Sequence, residues 1–280
     1  DITLMTVPGY PVAGTHTEYY GGQVYKLPLL PENDFFPDLD SIPAEVRRRA
    51  KLLVINYPNS PTGKTATREF YERVIRFALE NEIVVVQDAA HLMLSFDGPP
   101  LSFLQIPGAK EVGVEVHSLS KGWNMIGWRM GWVCGHPRIV RAFADVKDNT
   151  DSGQFIAIQK AAIAALDNPE IPRRTRAKYH RRLEKLVVML RRCGFQCRMP
   201  GGTYFVYAPA PKGVQGGPRF ASAEEACHWL IHELSIVTVP WDDAGPFLRF
   251  SVTYEAPDEA AEDALMALAE QRFQQAGLIF

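Results

Sequence analysis

The sequence has 280 residues, enough for one large domain or for a large and a small one. With 46% hydrophobic and 22% charged residues and a formal net charge of −2, it gives no electrostatic case for nucleic acid or for an anionic membrane. No apolar run approaches the roughly 18 residues that cross a bilayer, no charged-then-apolar leader opens the chain, and Cys134, Cys193, Cys197 and Cys227 form no CxxC pair, so a reduced, cytoplasmic setting is expected.

The chain opens on a strand-like stretch, Ile-Thr-Leu-Met-Thr-Val, without a methionine before it, as the middle of a protein would. Leu52–Asn56 is a compact apolar run ended by Tyr57-Pro58-Asn59-Ser60-Pro61, which cannot continue a strand. Residues 67–81 carry Phe70, Val74, Phe77 and Ala78 at helical spacing. Ile83–Gln87 and Val112–His117 read as buried strands. This rhythm predicts an α/β core with a mainly parallel sheet. Near Asn168–Pro172 the rhythm changes. A long amphipathic helix follows, with Tyr179, Leu183, Leu186, Val187 and Leu190 on one face. A Gly-rich loop at Pro200–Thr203, a strand at 204–208, a helix near 223–234, strands around 236–239 and 247–252, and a helix at 257–276 complete the pattern. The expected division is a large domain over 1–169 and a smaller α+β domain over 170–280.

The chemistry concentrates at strand ends, where open α/β sheets bind ligands. His117-Ser118-Leu119-Ser120-Lys121 is followed eight residues later by Arg129. Hydroxyls and a guanidinium suit a phosphate, and an amine suits an aldehyde, although Ser-x-Ser-Lys alone also occurs in solvated surface loops. Asp88 closes the preceding strand, where a buried carboxylate could keep a pyridine nitrogen protonated or serve as a turn residue. Asn56–Gly63 closes the strand before that. Three successive strand ends with this chemistry are a much more specific signal than any one of them.

These segments resemble the class I/II aminotransferases of pyridoxal phosphate (PLP) fold type I. The resemblance rests on Asn-Tyr-Pro-Asn-Ser-Pro-Thr-Gly (56–63), Asp88, Ser118-x-Ser-Lys121 and Gly-Trp-Arg129-x-Gly. It extends to Pro8-Gly-Tyr10-Pro11, Pro200-Gly-Gly-Thr-Tyr-Phe205 and Leu248-Arg249-Phe250-Ser251, in the family's order along the whole chain. It implies PLP as cofactor, an L-amino acid and a 2-oxo acid such as 2-oxoglutarate as substrates, and a homodimer. Carried over, Lys121 forms the Schiff base and moves the proton, and Asp88 pairs with the pyridinium nitrogen. Ser118, Ser120 and Arg129 hold the phosphate, Tyr10 stacks on the ring, and Arg249 grips the α-carboxylate. Its planar fork matches a carboxylate bidentately.

The pattern departs from the family at three points. Ser60 stands where an Asn usually touches the ring hydroxyl, with Asn59 one place early, and His91 stands where a Tyr usually donates to the same oxygen. The family's N-terminal arm and Gly-rich phosphate loop do not appear, so the expected site is incomplete. Asn33–Leu39 and Ser102–Lys110 resemble the LL-diaminopimelate aminotransferases, which would place the chain in lysine biosynthesis; alanine- and aspartate-type enzymes remain alternatives. So do an aminotransferase-like sensor of a transcription regulator and an oxoamine synthase. His228 and His232, four apart on a helix, lack HExxH context and a third ligand, so no metal is expected. The helix 173–192 has Arg or Lys at nine positions, read as a solvated face instead of a nucleic-acid surface.

Overall fold

The three apolar runs become adjacent parallel strands, as uninterrupted β-branched stretches do when both faces of a sheet are covered. The computed structural model describes residues 1–280. In its first part, β1 (Ile2–Val7), α1 (Val12–Tyr19), β2 (Gln23–Pro28) and α2 (Ala44–Arg49) lead into β3 (Ala50–Asn56), α3 (Arg68–Asn81) and β4 (Val84–Asp88). The chain continues through α4 (Ala109–Val112), β5 (Gly113–Ser118), β6 (Gly131–Gly135), α5 (Pro137–Asp148) and α6 (Ile156–Leu166). The six strands form one sheet in the order β2-β1-β3-β4-β5-β6, parallel throughout except for β6 against β5. This is the mainly parallel α/β sheet expected.

Helix α3 shows why the sequence folds this way locally. The Thr67 hydroxyl accepts from the Phe70 amide at 3.2 Å, capping the helix, and Glu82 in the left-handed region ends it. Its buried stripe of Phe70, Tyr71, Val74 and Phe77 joins Leu53, Ile55 and Val85 of the sheet in one apolar cluster. Each such side chain contributes about 1.5–3 kcal/mol of burial.

The second part consists of α7 (Glu170–Arg192), β7 (Phe205–Pro209), β8 (Gly213–Val214), α8 (Ala223–Leu234), β9 (Val239–Trp241), β10 (Phe247–Ser251), α9 (Glu259–Ala276) and β11 (Leu278–Ile279). Antiparallel β7-β10-β9 and the short β11-β8 pair carry α7, α8 and α9. A second apolar cluster fills this part; its members run from Tyr179 to Phe273, with Leu94 joining from the first part.

Two expectations are corrected. The strand expected at 236–239 begins only at Val239, because Ser235 turns left-handed and the Ile236 amide returns to Leu230 at 3.1 Å to close α8. The basic helix is not simply a solvated face. Arg182 is 2% exposed and donates from Nε to the buried Glu262 carboxylate at 2.6 Å, while Arg181 and Lys185 approach the same carboxylate from the rim. Burial pushes the Glu262 pKa up, but hydrogen bonds and charge from Arg181 and Arg182 outweigh it and hold the pKa at about 2.

Candidate active site

The C-terminal ends of β3, β4 and β5 lie side by side, with Asn56 opposite Asp88 and Asp88 opposite Val116 in register. Asn56 ties the first two ends together. Its Nδ2 donates to the Asp88 carbonyl and its Oδ1 accepts from the Ser60 amide, both at 2.9 Å. Asn59 is fully buried in the following turn, where its Oδ1 accepts from the Thr62 amide at 3.1 Å and the Thr62 hydroxyl at 2.7 Å. Its Nδ2 has no protein partner. Asn59 is therefore a turn-former with a spare donor, and Ser60 is fastened by its backbone.

Asp88 is half-buried, its carboxylate accepting from the Ala90 amide at 2.9 Å. Burial raises its pKa, opposed by that amide, by Lys121 and by His117. Past β5, the Ser118 hydroxyl accepts from the Ser120 amide at 3.0 Å, which turns the chain so that Lys121 follows the strand end. Burial also lowers the Lys121 pKa. Arg129 and Arg249 add to the lowering, and Tyr10 and Asp88 oppose it. Residues 10, 88, 129 and 249, scattered over the sequence, thus share one electrostatic neighbourhood with Lys121. Arg129 is exposed, with its backbone in the left-handed region, and donates to the Ile126 carbonyl at 2.8 Å. Tyr10 is 66% exposed, an uncovered ring beside the amine.

His91 is 5% exposed, its ring between Tyr204 at 5.3 Å and Phe205 at 5.9 Å. Burial, with Lys121 and Arg249 nearby, lowers its pKa to about 3, and its Nδ1 has no partner. Burial and the two neighbouring cations all disfavour the imidazolium, so the imidazole is held in its neutral form.

From the second part, β10 brings Arg249. Its guanidinium lies 4.1 Å from the centre of the Phe205 ring, its Nε is buried without a partner, and burial lowers its pKa. Lys121 Nζ stands 5.8 Å from the Tyr204 ring centre, so the adjacent Tyr204 and Phe205 link the lysine to the arginine. The Pro200–Thr203 loop delivers this aromatic pair. A Cβ on Gly202 would come within 2.6 Å of Pro58, and the Gly202 amide donates to the Gly63 carbonyl at 3.0 Å. Only glycine lets the two motifs touch. The individual contacts of Asn56, Tyr204 and Phe205 were not read from sequence, although all three lie inside segments that the resemblance marks.

The Aminotransferase class I and II family model matches residues 1–268. The chain belongs to the class I and II aminotransferases. It is 57% identical over 259 residues to the LL-diaminopimelate aminotransferase of Methanocaldococcus jannaschii, covering 92% of this chain and 62% of that protein. The corresponding enzyme of Methanococcus maripaludis is 52% identical, over 100% of this chain and 68% of its own length. Among solved structures, apo-BacF from Bacillus subtilis superposes with a TM-score of 0.90 at 31% identity, over 99% of this chain and 72% of that one. The Thermus thermophilus aspartate aminotransferase with maleate gives 0.83 at 27% identity, over 99% and 70%. This aminotransferase chain thus spans about two thirds of the length of its relatives, and its PLP-type α/β fold is that of the family.

Proposed function

We propose that this chain carries the lysine and the carboxylate grip of an enzyme that moves an amino group between an L-amino acid and a 2-oxo acid. The observation that carries the proposal is the meeting of Lys121 and Asp88, from parallel strand ends, with Arg249, from the antiparallel sheet. LL-diaminopimelate is the amino donor that the names of the relatives support. The division into a large unit, 1–169, and a small one, 170–280, is supported by the two largest apolar clusters, one in each unit apart from Leu94. A homodimer would cover the exposed Tyr19, Tyr20, Phe143, Phe155 and Ile163. No helix is long and apolar enough to cross a membrane, which accords with a cytoplasmic setting.

PLP fits the donor set. Buried Asn59 Nδ2, His91 Nδ1 and Arg249 Nε have no protein acceptor, and Asp88 is a half-buried carboxylate without an ion-pair partner. A phenolate oxygen, a substrate carboxylate and a ring N–H complement these groups. When bound, PLP supplies an electron sink for the carbanion at the substrate α-carbon. Asp88 would hold the ring nitrogen protonated. Ser118, Ser120 and Arg129 would take the phosphate, with Arg129 giving charge and the hydroxyls giving direction. Tyr10 would cover the ring face.

Arg249 would orient the substrate by its carboxylate, with the Phe205 ring beside its guanidinium. Lys121 would carry the proton from the α-carbon. Its lowered pKa increases the fraction present as free amine, the form able to accept that proton. The test is a panel of amino donors with 2-oxoglutarate, read as glutamate formed by the PLP-loaded protein. LL-diaminopimelate should exceed alanine and aspartate; no glutamate from any donor would refute aminotransfer.

A further inference from the structure

Helix α7 lies outside every motif, yet it touches the neighbourhoods of both Lys121 and Arg249. At Tyr179 the phenol donates to Asn124 Oδ1 at 2.8 Å. Asn124 sits three residues after Lys121, and its amide returns to the Lys121 carbonyl at 3.3 Å. One helical turn further on, Arg182 donates from Nη1 to the Val252 carbonyl at 3.1 Å and to the Tyr254 carbonyl at 2.6 Å. Val252 sits three residues after Arg249. Its amide donates to the Tyr204 carbonyl at 3.1 Å, and the Tyr204 ring stands 5.2 Å from that of Tyr179.

Residues three apart on a helix share one face about 5–6 Å from each other. Tyr179 and Arg182 therefore hold the two loops at a separation set by a single helical turn. Arg182 is itself fixed. Its Nε is bonded to the buried Glu262, and its guanidinium lies 4.5 Å from the centre of the Tyr254 ring. A buried guanidinium with four such contacts has no rotamer freedom left, which is what a ruler requires.

We propose that α7 is a spacer that sets the separation of Lys121 and Arg249, with Tyr179 and Arg182 as positioning residues for the lysine loop and the arginine strand. This rests on the roles given above to Lys121 and Arg249. The two residues touch neither substrate nor cofactor; they act through Asn124 and through the Val252 and Tyr254 carbonyls.

The spacer makes separable demands on two probes of the PLP-loaded protein. Succinate reports carboxylate binding at equilibrium, and methylamine reports reaction with the cofactor without a carboxylate. Arg182→Lys should weaken succinate about tenfold and leave the methylamine rate within about twofold. Tyr179→Phe should do the reverse, slowing methylamine about threefold with succinate held within about twofold. If Arg182→Lys does not fold, Glu262→Gln loosens the same guanidinium from its other side and should give the Arg182 pattern. The spacer is overturned if the variants lower only the melting temperature, or if each shifts both probes equally. Arg249→Lys, run alongside, separates the failures: normal succinate binding there would sink the role of Arg249. Weakened binding there with normal binding in Arg182→Lys would sink the spacer alone.

Discussion

Asp88 and Arg249 carry opposite charges on different sheets, and they are held in the same electrostatic condition. Asp88 ends a parallel strand and has one amide as a partner; Arg249 lies within an antiparallel strand and has one aromatic face. Burial raises the pKa of the first and lowers that of the second, so each charge is partly desolvated, and neither forms a salt bridge, although Lys121 tempers the effect on Asp88. They differ in support. The Asp88 end is fastened by the neighbouring strands and by Asn56. Just past the Arg249 strand, the Val252 and Tyr254 carbonyls are held by Arg182, which is itself paired with Glu262. The comparison teaches that this site spends folding stability on two unpaired charges, and that a binding partner recovers it.

The largest effect should come where the two poles meet. Lys121→Ala should cut turnover on the order of 10⁴-fold, since no second lysine shares this neighbourhood. Borohydride reduction followed by mass spectrometry should place the pyridoxyl group on Lys121. A label on another lysine would dissolve the comparison, because neither pole would then face the reacting amine.

Asp88→Asn sharpens the contrast between function and folding. Turnover should fall about a hundredfold or more, as the charge behind the ring nitrogen is lost. Without cofactor, the same variant should melt higher than the parent at neutral pH. The sign follows from linkage. The folded pKa of Asp88 lies above its unfolded value, so the folded chain holds the extra proton and stability falls as pH rises through that window. A variant that melts lower and turns over normally would make Asp88 a structural carboxylate.

Much of this contrast was legible in the sequence, and the reasons differ by residue. The strands ending at Asn56, Asp88 and Ser118 are short apolar runs bounded by turn residues, a local signal, and α8 was read at its observed bounds. Arg249 is one arginine among many until the resemblance marks it, because its pairing across β10 with Tyr207 is non-local. Helix α5 was overlooked although Ile139, Val140, Phe143 and Val146 recur at helical spacing; its apolar face is largely exposed, so no buried partner confirms the pattern. The ionic core at Arg182 was misread as solvated because a charge pattern shows periodicity and hides depth. Nothing at 182 distinguishes it from Arg181, whose side chain is 37% exposed.

On the other pole, Arg249→Lys should weaken amino acids and 2-oxo acids alike by about tenfold, since a charge-assisted bond is worth about 1.5–3 kcal/mol and an ammonium cannot reproduce the fork. Michaelis constants across several substrates check it. A loss confined to one substrate would mean that Arg249 recognises a side chain, and the two poles would no longer be comparable.

The smallest effect concerns His91, which lies between the poles against Tyr204 and Phe205. An exposed imidazole titrates near 6.5, and a histidine bonded to the cofactor oxygen would then add a second step to the cofactor's spectral titration. Burial lowers this pKa to about 3, so His91 stays neutral across the range in which the enzyme can be assayed. A neutral imidazole has one N–H to donate, as the family's Tyr would, and the buried Nδ1 is left without a protein partner. The expected spectral titration therefore has a single step above pH 5. His91→Phe, which removes the donor, should shift the midpoint by no more than about one unit. Stability carries the complementary signature. Because the folded pKa lies below the unfolded one, the contribution of His91 is complete above pH 6.5 and is lost as pH falls toward 3, a loss His91→Phe should not show. A second spectral step between pH 5 and 8 that vanishes in His91→Phe would show that the imidazole gains a proton there, and the aromatic wall between Lys121 and Arg249 would then be charged, not neutral.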